Sequence, residues 1–406
     1  MTRAAGYRWE FRARFRRDAF GWRSQPAILR VKQAVAEIKK VAKKDPELAA
    51  EGTVLFLERV SAALAQVDSS SGAIGTAVNK AIAELVPVIA NTEVDAKTRE
   101  VWLERLWIAH QDDQIPYIEN LTDYWGDLCA SKEVASAWAD RLIEGVTLAW
   151  MTNRTHYCHF QGASACLSAL LRAERHDELL ALLKLNDPPS WHYHEWGVRA
   201  LAALDRNAEA IEFAESLRGP WTDERALARL CEEILLSSGQ VDEAYRRYGI
   251  EANGASTYLA TFRALLRKYT HLAPEQLLSD LVASTPGQEG KWFAAAKDAG
   301  FFDIALRLAT TSPCDPRTLA RAARDHAESN PEFAIGAGLA ALHWIADGFG
   351  YEISGADVWA ACFQVMGAAE KAGQVDEVKE RIRQIAMSGR ESNFVTEVLG
   401  KQSGLP

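Results

Sequence analysis

Cysteine is sparse in this chain: six residues (Cys129, Cys158, Cys166, Cys231, Cys314 and Cys362) are scattered through 406 positions, and no two stand at Cys-x-x-Cys spacing. That excludes the dense disulfide framework of a small secreted domain and points to a reducing compartment. No stretch approaches the roughly 18 consecutive apolar residues that a membrane span needs, and Met1–Arg8 carries no apolar signal core. A cytoplasmic, soluble protein is therefore expected. Also missing are a Gly-x-Ser-x-Gly nucleophile elbow, a phosphate-binding Gly-x-x-x-x-Gly-Lys, a dinucleotide fingerprint after a strand and a His-Glu-x-x-His zinc motif. No catalytic set is proposed, no cofactor is expected, and a non-enzymatic role follows.

Charge is unevenly distributed. Residues 1 to 44 hold thirteen Lys or Arg against Glu10, Asp18 and Glu37, a balance of +10, so the net charge of −9 leaves −19 on the remaining 362 residues. A basic arm thus precedes an acidic body. Within the arm, Tyr7 to Arg16 alternates apolar and charged residues with the two-residue period of a half-buried strand. A helix would instead group Tyr7, Phe11, Phe15 and Trp22. The expectation is an extended or strand-like arm over residues 1 to 23, followed by helical regions 24–155 and 156–406. Arg8, Trp9, Arg12, Arg14, Arg16 and Arg17 are its candidate contact residues. They serve either docking on protein, on the same chain or a second copy of it, or binding of nucleic acid, with arginines on phosphates and aromatics stacked on bases.

From Pro26 onward the dominant period is helical. Ile28, Val31, Val35, Ile38 and Ala42 make one apolar face, with Lys32, Lys39, Lys40 and Lys43 opposite. Asp45-Pro46, Asp315-Pro316 and Asn330-Pro331 read as a cap followed by the first helical residue. Ser354-Gly355-Ala356-Asp357 resembles a capping box. Helices are expected over 73–90, with Pro87 stopping or kinking the first of these, and over about 95–110, 131–151 and 160–173. Trp102, Trp107, Trp125, Trp138 and Trp150 recur at apolar helix positions and are expected in the core.

A phrase returns along the second half: Gly239-Gln240-Val241-Asp242-Glu243-Ala244 and Gly373-Gln374-Val375-Asp376-Glu377-Val378. Looser copies start at Asp205 and Gly300, fainter ones near Glu174, Thr270 and Ser329, and successive starts differ by 31, 34, 31, 30, 29 and 44 residues. Such a period marks helix-turn-helix units stacking into one elongated core. Aligned by its glycine, the phrase resembles a degenerate tetratricopeptide repeat over roughly residues 160 to 390. In that family a Gly ends helix A, and an Ala five residues later lets helix B pack closely. Gly239 with Ala244 and Gly300 with Ala305 carry both; Asp205 with Ala210 and Gly373 with Val378 carry one each. HEAT or armadillo repeats remain the alternative, particularly for residues 24 to 155. The resemblance implies a right-handed all-α superhelical solenoid and a protein-binding scaffold. By the same resemblance the inward positions of helix A fall on His192, Glu195 and Arg199 in one unit, and on Arg229 and Glu233 in the next. The partner is expected to be a protein, with nucleic acid second, no membrane, and a homo-oligomer formed through the arm as a further outcome.

Two constellations stand apart. His156, His159, His176, His192 and His194 fall within 39 residues together with Cys158 and Cys166. The set His156, Cys158, His159 and Cys166 has the donor types of a zinc site, but not its spacing. An unrecognised metal-dependent hydrolase is the third functional alternative, and no metal is expected. Ser69 to Gly72, ahead of a helix, has the donors of a phosphate site, which a capped loop explains equally well.

Overall fold

The computed structural model describes residues 7–152, 160–387 and 394–400, and among these there are helices and no strand. The chain divides into two compact units, Met1–Leu227 and Ala228–Pro406.

The first unit contains α1 (Glu10–Arg14), α2 (Ser24–Ala42), α3 (Pro46–Leu64), α4 (Ala73–Ala90), α5 (Ala96–Gln111), a 3₁₀ turn (Glu119–Tyr124), α6 (Trp125–Cys129), α7 (Lys132–Thr152), α8 (Ala163–Arg172), α9 (His176–Leu183), α10 (Trp191–Ala203) and α11 (Asn207–Ser216). One core of buried side chains runs from Trp9 to Ala200. The Asp45 carboxylate caps α3 by accepting from Leu48 N at 3.0 Å, the bond that an Asp-Pro start predicts. Pro87 does not stop α4, which continues to Ala90; proline lacks an N–H but its carbonyl still serves, and Asn91 N donates to Pro87 O. The expected tryptophan core is present, with Trp102, Trp125, Trp138 and Trp150 buried and Trp107 meeting both Trp125 and Trp138 edge-on or tilted. One expectation needs correcting. Helix α4 is long and apolar enough, by length and composition, to cross a membrane, at a mean hydropathy of 1.4. Its Ile74, Val78, Ile82, Leu85 and Ile89 are buried in the core, where α4 packs on α2 and α3.

The arm is the second correction. It is not strand-like: Trp9 is extended, and α1 begins at the next residue. The Glu37 carboxylate of α2 accepts from Glu10 N (2.8 Å) and Phe11 N (3.1 Å), so a side chain from another helix caps α1 and favours its start over an extended course. Trp9, Phe11 and Phe15 are buried, and Phe11 and Phe15 both meet Phe56 of α3 edge-on. Gly52 of α3 is where the Trp9 ring lies; a methyl there would overlap the indole. The arm thus docks on its own chain, while Arg8, Arg12, Arg14, Arg16 and Arg17 remain exposed.

Helix α12 (Glu224–Ser237) contains the division between units at Leu227/Ala228. The second unit continues with α13 (Val241–Ala244), which runs through a π turn (Tyr245–Gly249) into α14 (Ile250–Ala252). Next come α15 (Tyr258–Lys268), α16 (Pro274–Ala283), α17 (Phe293–Asp298), α18 (Phe302–Thr311), α19 (Pro316–His326), α20 (Pro331–Ala346), α21 (Gly355–Ala372), α22 (Val375–Met387) and α23 (Phe394–Gly400). Helix α20 is apolar nearly all round and is the centre of this unit, packed by α18, α19, α21, α22 and α23. Asp315 and Asn330 cap α19 and α20 as their Asp-Pro and Asn-Pro starts predict, and the Ser354/Asp357 capping box is complete.

Five copies of the returning phrase share one local geometry. Glu174, Asp205, Gly239, Gly300 and Gly373 all have positive φ, between 57° and 79°. At each corner the next residue's N–H bonds the carbonyl five residues before it, as in Arg175 N to Leu170 O, Gln240 N to Leu235 O and Gln374 N to Ala369 O. This is the left-handed helix ending that glycine enters without a Cβ penalty, and that Asp205 and Glu174 adopt at some cost. Five residues beyond each start, Leu179, Ala210, Ala244, Ala305 and Val378 are buried. Thr270 and Ser329 lack the left-handed residue.

Candidate functional site

His192, Glu195 and Arg199 lie on α10; Glu195 and Arg199 line a cleft of about 1050 Å³ in the first unit, and His192 lines a smaller neighbouring pocket. Their spacing of three and four residues puts them on one helical face. The opposite wall is the 3₁₀ turn and α6, which sit on α8 through a short set of bonds. Ser168 Oγ donates to Asp123 O (3.0 Å) and accepts from Gly126 N (2.9 Å). A side chain at Gly126 would run into the Ser168 carbonyl, so only glycine lets α6 approach α8 this closely. Behind the turn, buried Asp113 accepts from Ile118 N at 2.7 Å and from the Ser61 hydroxyl. Together these bonds set Asp123 over the first turn of α8, beside Ser164.

Asp123 and Glu195 are the centre of the site. Burial raises the Asp123 carboxyl above the ordinary carboxylate range, against the pull of His192, the Ser164 hydroxyl and Arg199. Burial likewise raises Glu195, with repulsion from Asp123 adding to it and Arg199 opposing. Arg199 reaches Glu195 at 3.3 Å and lies 6.0 Å from the Trp196 ring centre. Two desolvated carboxyls therefore share one guanidinium, together with a histidine whose Nε2 is 3.0 Å from Ser164 Oγ. A smaller pocket of about 60 Å³ shares Asp123 and adds His110 and Glu119. His110 is buried, its Nε2 faces Gln161 O at 3.3 Å and its Nδ1 has no partner among the described residues; burial lowers its pKa and keeps it neutral.

The arrangement suits a cation. An incoming ammonium or guanidinium relieves the repulsion between Asp123 and Glu195. The contacts run Asp123, Ser164, His192, with the hydroxyl in the middle. A nucleophilic triad needs the imidazole in the middle, oriented by the carboxylate, so this order serves hydrogen bonding of a ligand better than activation of Ser164.

Arg229 and Glu233 belong to α12 in the second unit. Arg229 donates through Nε to Ala252 O at 3.0 Å, and Glu233 is exposed. The neighbouring Glu232, which the sequence did not single out, is the buried one: it accepts from Tyr269 Oη (2.5 Å), Asn253 Nδ2 (2.6 Å) and Lys268 Nζ (2.5 Å). Of the zinc candidates, His156, Cys158 and His159 lie outside the described residues, and Cys166 is buried with its thiol pushed up to about 12. Among the described residues no cluster of three or more His, Cys, Asp or Glu is arranged to hold a metal ion. In the Ser69–Gly72 loop, Asp68 accepts from Ser70 N and Ser69 O from Gly72 N, so two of the donors offered to a phosphate are already used. Asp123 and Ser164 carried no signal in the sequence, because neither belongs to a motif or to the returning phrase.

The chain matches no family model and has no significant match among curated proteins.

Proposed function

We propose that this protein is a non-enzymatic, cytoplasmic interaction scaffold built from stacked helix pairs, and that its cleft at α10 takes a Lys- or Arg-bearing segment of a protein partner. The observation that carries the reading is the pair Asp123 and Glu195, both raised by burial in an open cleft and sharing a single arginine. Two half-buried carboxyls that repel one another across a cleft gain from a cation supplied in trans. The superhelical arrangement is supported by the five alike corners, which turn each helix pair with the same left-handed residue and hydrogen bond. Fluorescent peptides varied one position at a time provide the test. Lys or Arg should be selected at one position, and Glu195→Gln should weaken the selected peptide by about tenfold, as expected for loss of one desolvated charge pair. Selection of acidic peptides, or binding that Asp123→Asn and Glu195→Gln leave untouched, defeats the reading.

The second reading, nucleic-acid binding through the arm, rests on the exposure of Arg8, Arg12, Arg14, Arg16 and Arg17. Trp9, Phe11 and Phe15 are buried and unavailable for stacking on bases, which leaves Tyr7 and Trp22 as the exposed aromatics of the arm beside its phosphate contacts. Truncation of residues 1–23 separates the two readings. Loss of salt-sensitive binding to single strands with folding intact favours nucleic acid; loss of stability alone favours the scaffold.

A further inference from the structure

Helix α19 presents a second kind of surface. Its buried side is Leu319, Ala322 and Ala323, while Arg317, Arg321 and Arg324 recur at four- and three-residue spacing on the other. They line a groove of about 380 Å³ against α21, whose wall contributes Asp357, Ala360 and Gln364. Alanines at 320 and 360, on facing helices, leave the groove open, and Ile345 adds apolar surface. In a chain that carries −19 beyond residue 44, the groove sets three arginines against a single lining carboxylate, Asp357.

The three guanidiniums are not equivalent. Arg317 is committed, forking onto both Asp357 oxygens at 2.8 and 3.1 Å and donating to Glu352 O. Arg324 pairs with the next residue, Asp325, at 2.8 Å, and both are more than half exposed, so solvent screens the pair. Arg321 has no carboxylate partner among the described residues. Its Nε donates to Arg317 O and one terminal nitrogen to the Thr318 hydroxyl, both at 3.1 Å, which orients the fork while leaving further N–H bonds free. An oriented, unpaired guanidinium beside a weakly paired one, over an apolar floor, matches a doubly charged tetrahedral anion attached to an apolar body.

We propose that the α19–α21 groove binds an organic phosphate monoester, its phosphate on Arg321 and Arg324 and its apolar part against Ala320, Ile345 and Ala360. This site is independent of the α10 cleft. Phenyl phosphate and inorganic phosphate are titrated into the full chain by calorimetry. Phenyl phosphate should bind at least about tenfold more tightly than inorganic phosphate, and Arg321→Gln should weaken it by a further factor of about ten or more, as expected for loss of a charge-assisted bidentate contact. Arg321→Lys, which keeps the charge but not the fork, should lie between. Ala360→Leu, at an exposed position, should fill the groove and abolish binding with the helical circular dichroism unchanged. Arg246→Gln, an exposed arginine of the same unit outside the groove, should have no effect. Equal affinity for the two phosphates overturns the proposal, as does binding that Arg321→Gln leaves intact, a comparable loss in Arg246→Gln, or no heat with phenyl phosphate.

Discussion

Replacing Gly52 with alanine should destabilise the protein only while Trp9 is in place. Gly52 lies inside α3, where alanine is intrinsically the better helix residue by about 1 kcal/mol. Against that gain, the new methyl would overlap the Trp9 ring, which is 5% exposed and held between Tyr7 and Phe11 at ring-centre distances of 4.7 and 5.3 Å. Overpacking of this kind costs about 1–3 kcal/mol, so the single substitution should come out destabilising by up to about 2 kcal/mol. Trp9→Ala alone should cost about 3–5 kcal/mol, the range for emptying a buried aromatic site. In that background the methyl meets empty space, and Gly52→Ala should become stabilising by about 1 kcal/mol. The sign therefore reverses, with a coupling of about 1–3 kcal/mol between two positions 43 residues apart in the chain. Urea unfolding of the four proteins, followed by far-ultraviolet circular dichroism, reads this as opposite shifts of the midpoint. If Gly52→Ala moves the midpoint equally with and without Trp9, the ring does not lie on Gly52, and the account of arm docking fails.

Two further outcomes follow from burial. Ala244→Arg, at a fully buried position in the corner after Gly239, should lower the melting temperature through overpacking of at least about 1–3 kcal/mol; an unchanged melting temperature would remove the close approach of helices there. Burial raises the Asp123 carboxyl above its unfolded value of 3.8, so the folded state keeps a proton that the unfolded chain has lost, and this contribution to stability fades as pH rises through the raised value. Asp123→Asn should accordingly be more stable than the parent near neutral pH, with the difference shrinking as pH falls toward 4; a difference independent of pH would mean that Asp123 is not desolvated.

Much of the helix inventory was legible because its signals are local. A capping bond such as Asp45 to Leu48, or a helix ending at Gly239, involves residues within one turn, so residue type at fixed spacing is enough. The five corners follow for the same reason. Thr270 and Ser329 were misleading because the surrounding letters resemble the phrase while the left-handed residue, which makes the corner, is missing. His192, Glu195 and Arg199 were placed on one face by helical spacing alone; Glu195 and Arg199 share the cleft, while His192, one turn away, lines the adjoining pocket. Their spacing carries no information on Asp123, which is set at the cleft by Ser168 bonds between residues 42 or 45 apart, or on Ser164, which lies in the adjoining pocket.

By itself, then, the sequence determined the all-helical class, most helix boundaries and the tryptophan core, since these depend on periodicity and on contacts within a turn. Tertiary structure alone decided the arm, where a carboxylate from α2 caps α1 and turns an alternating pattern that reads as strand into a helix with buried aromatics. It also decided which carboxylates are covered, Glu232 fully and Asp123 and Glu195 in part, because desolvation depends on what distant segments place over a side chain.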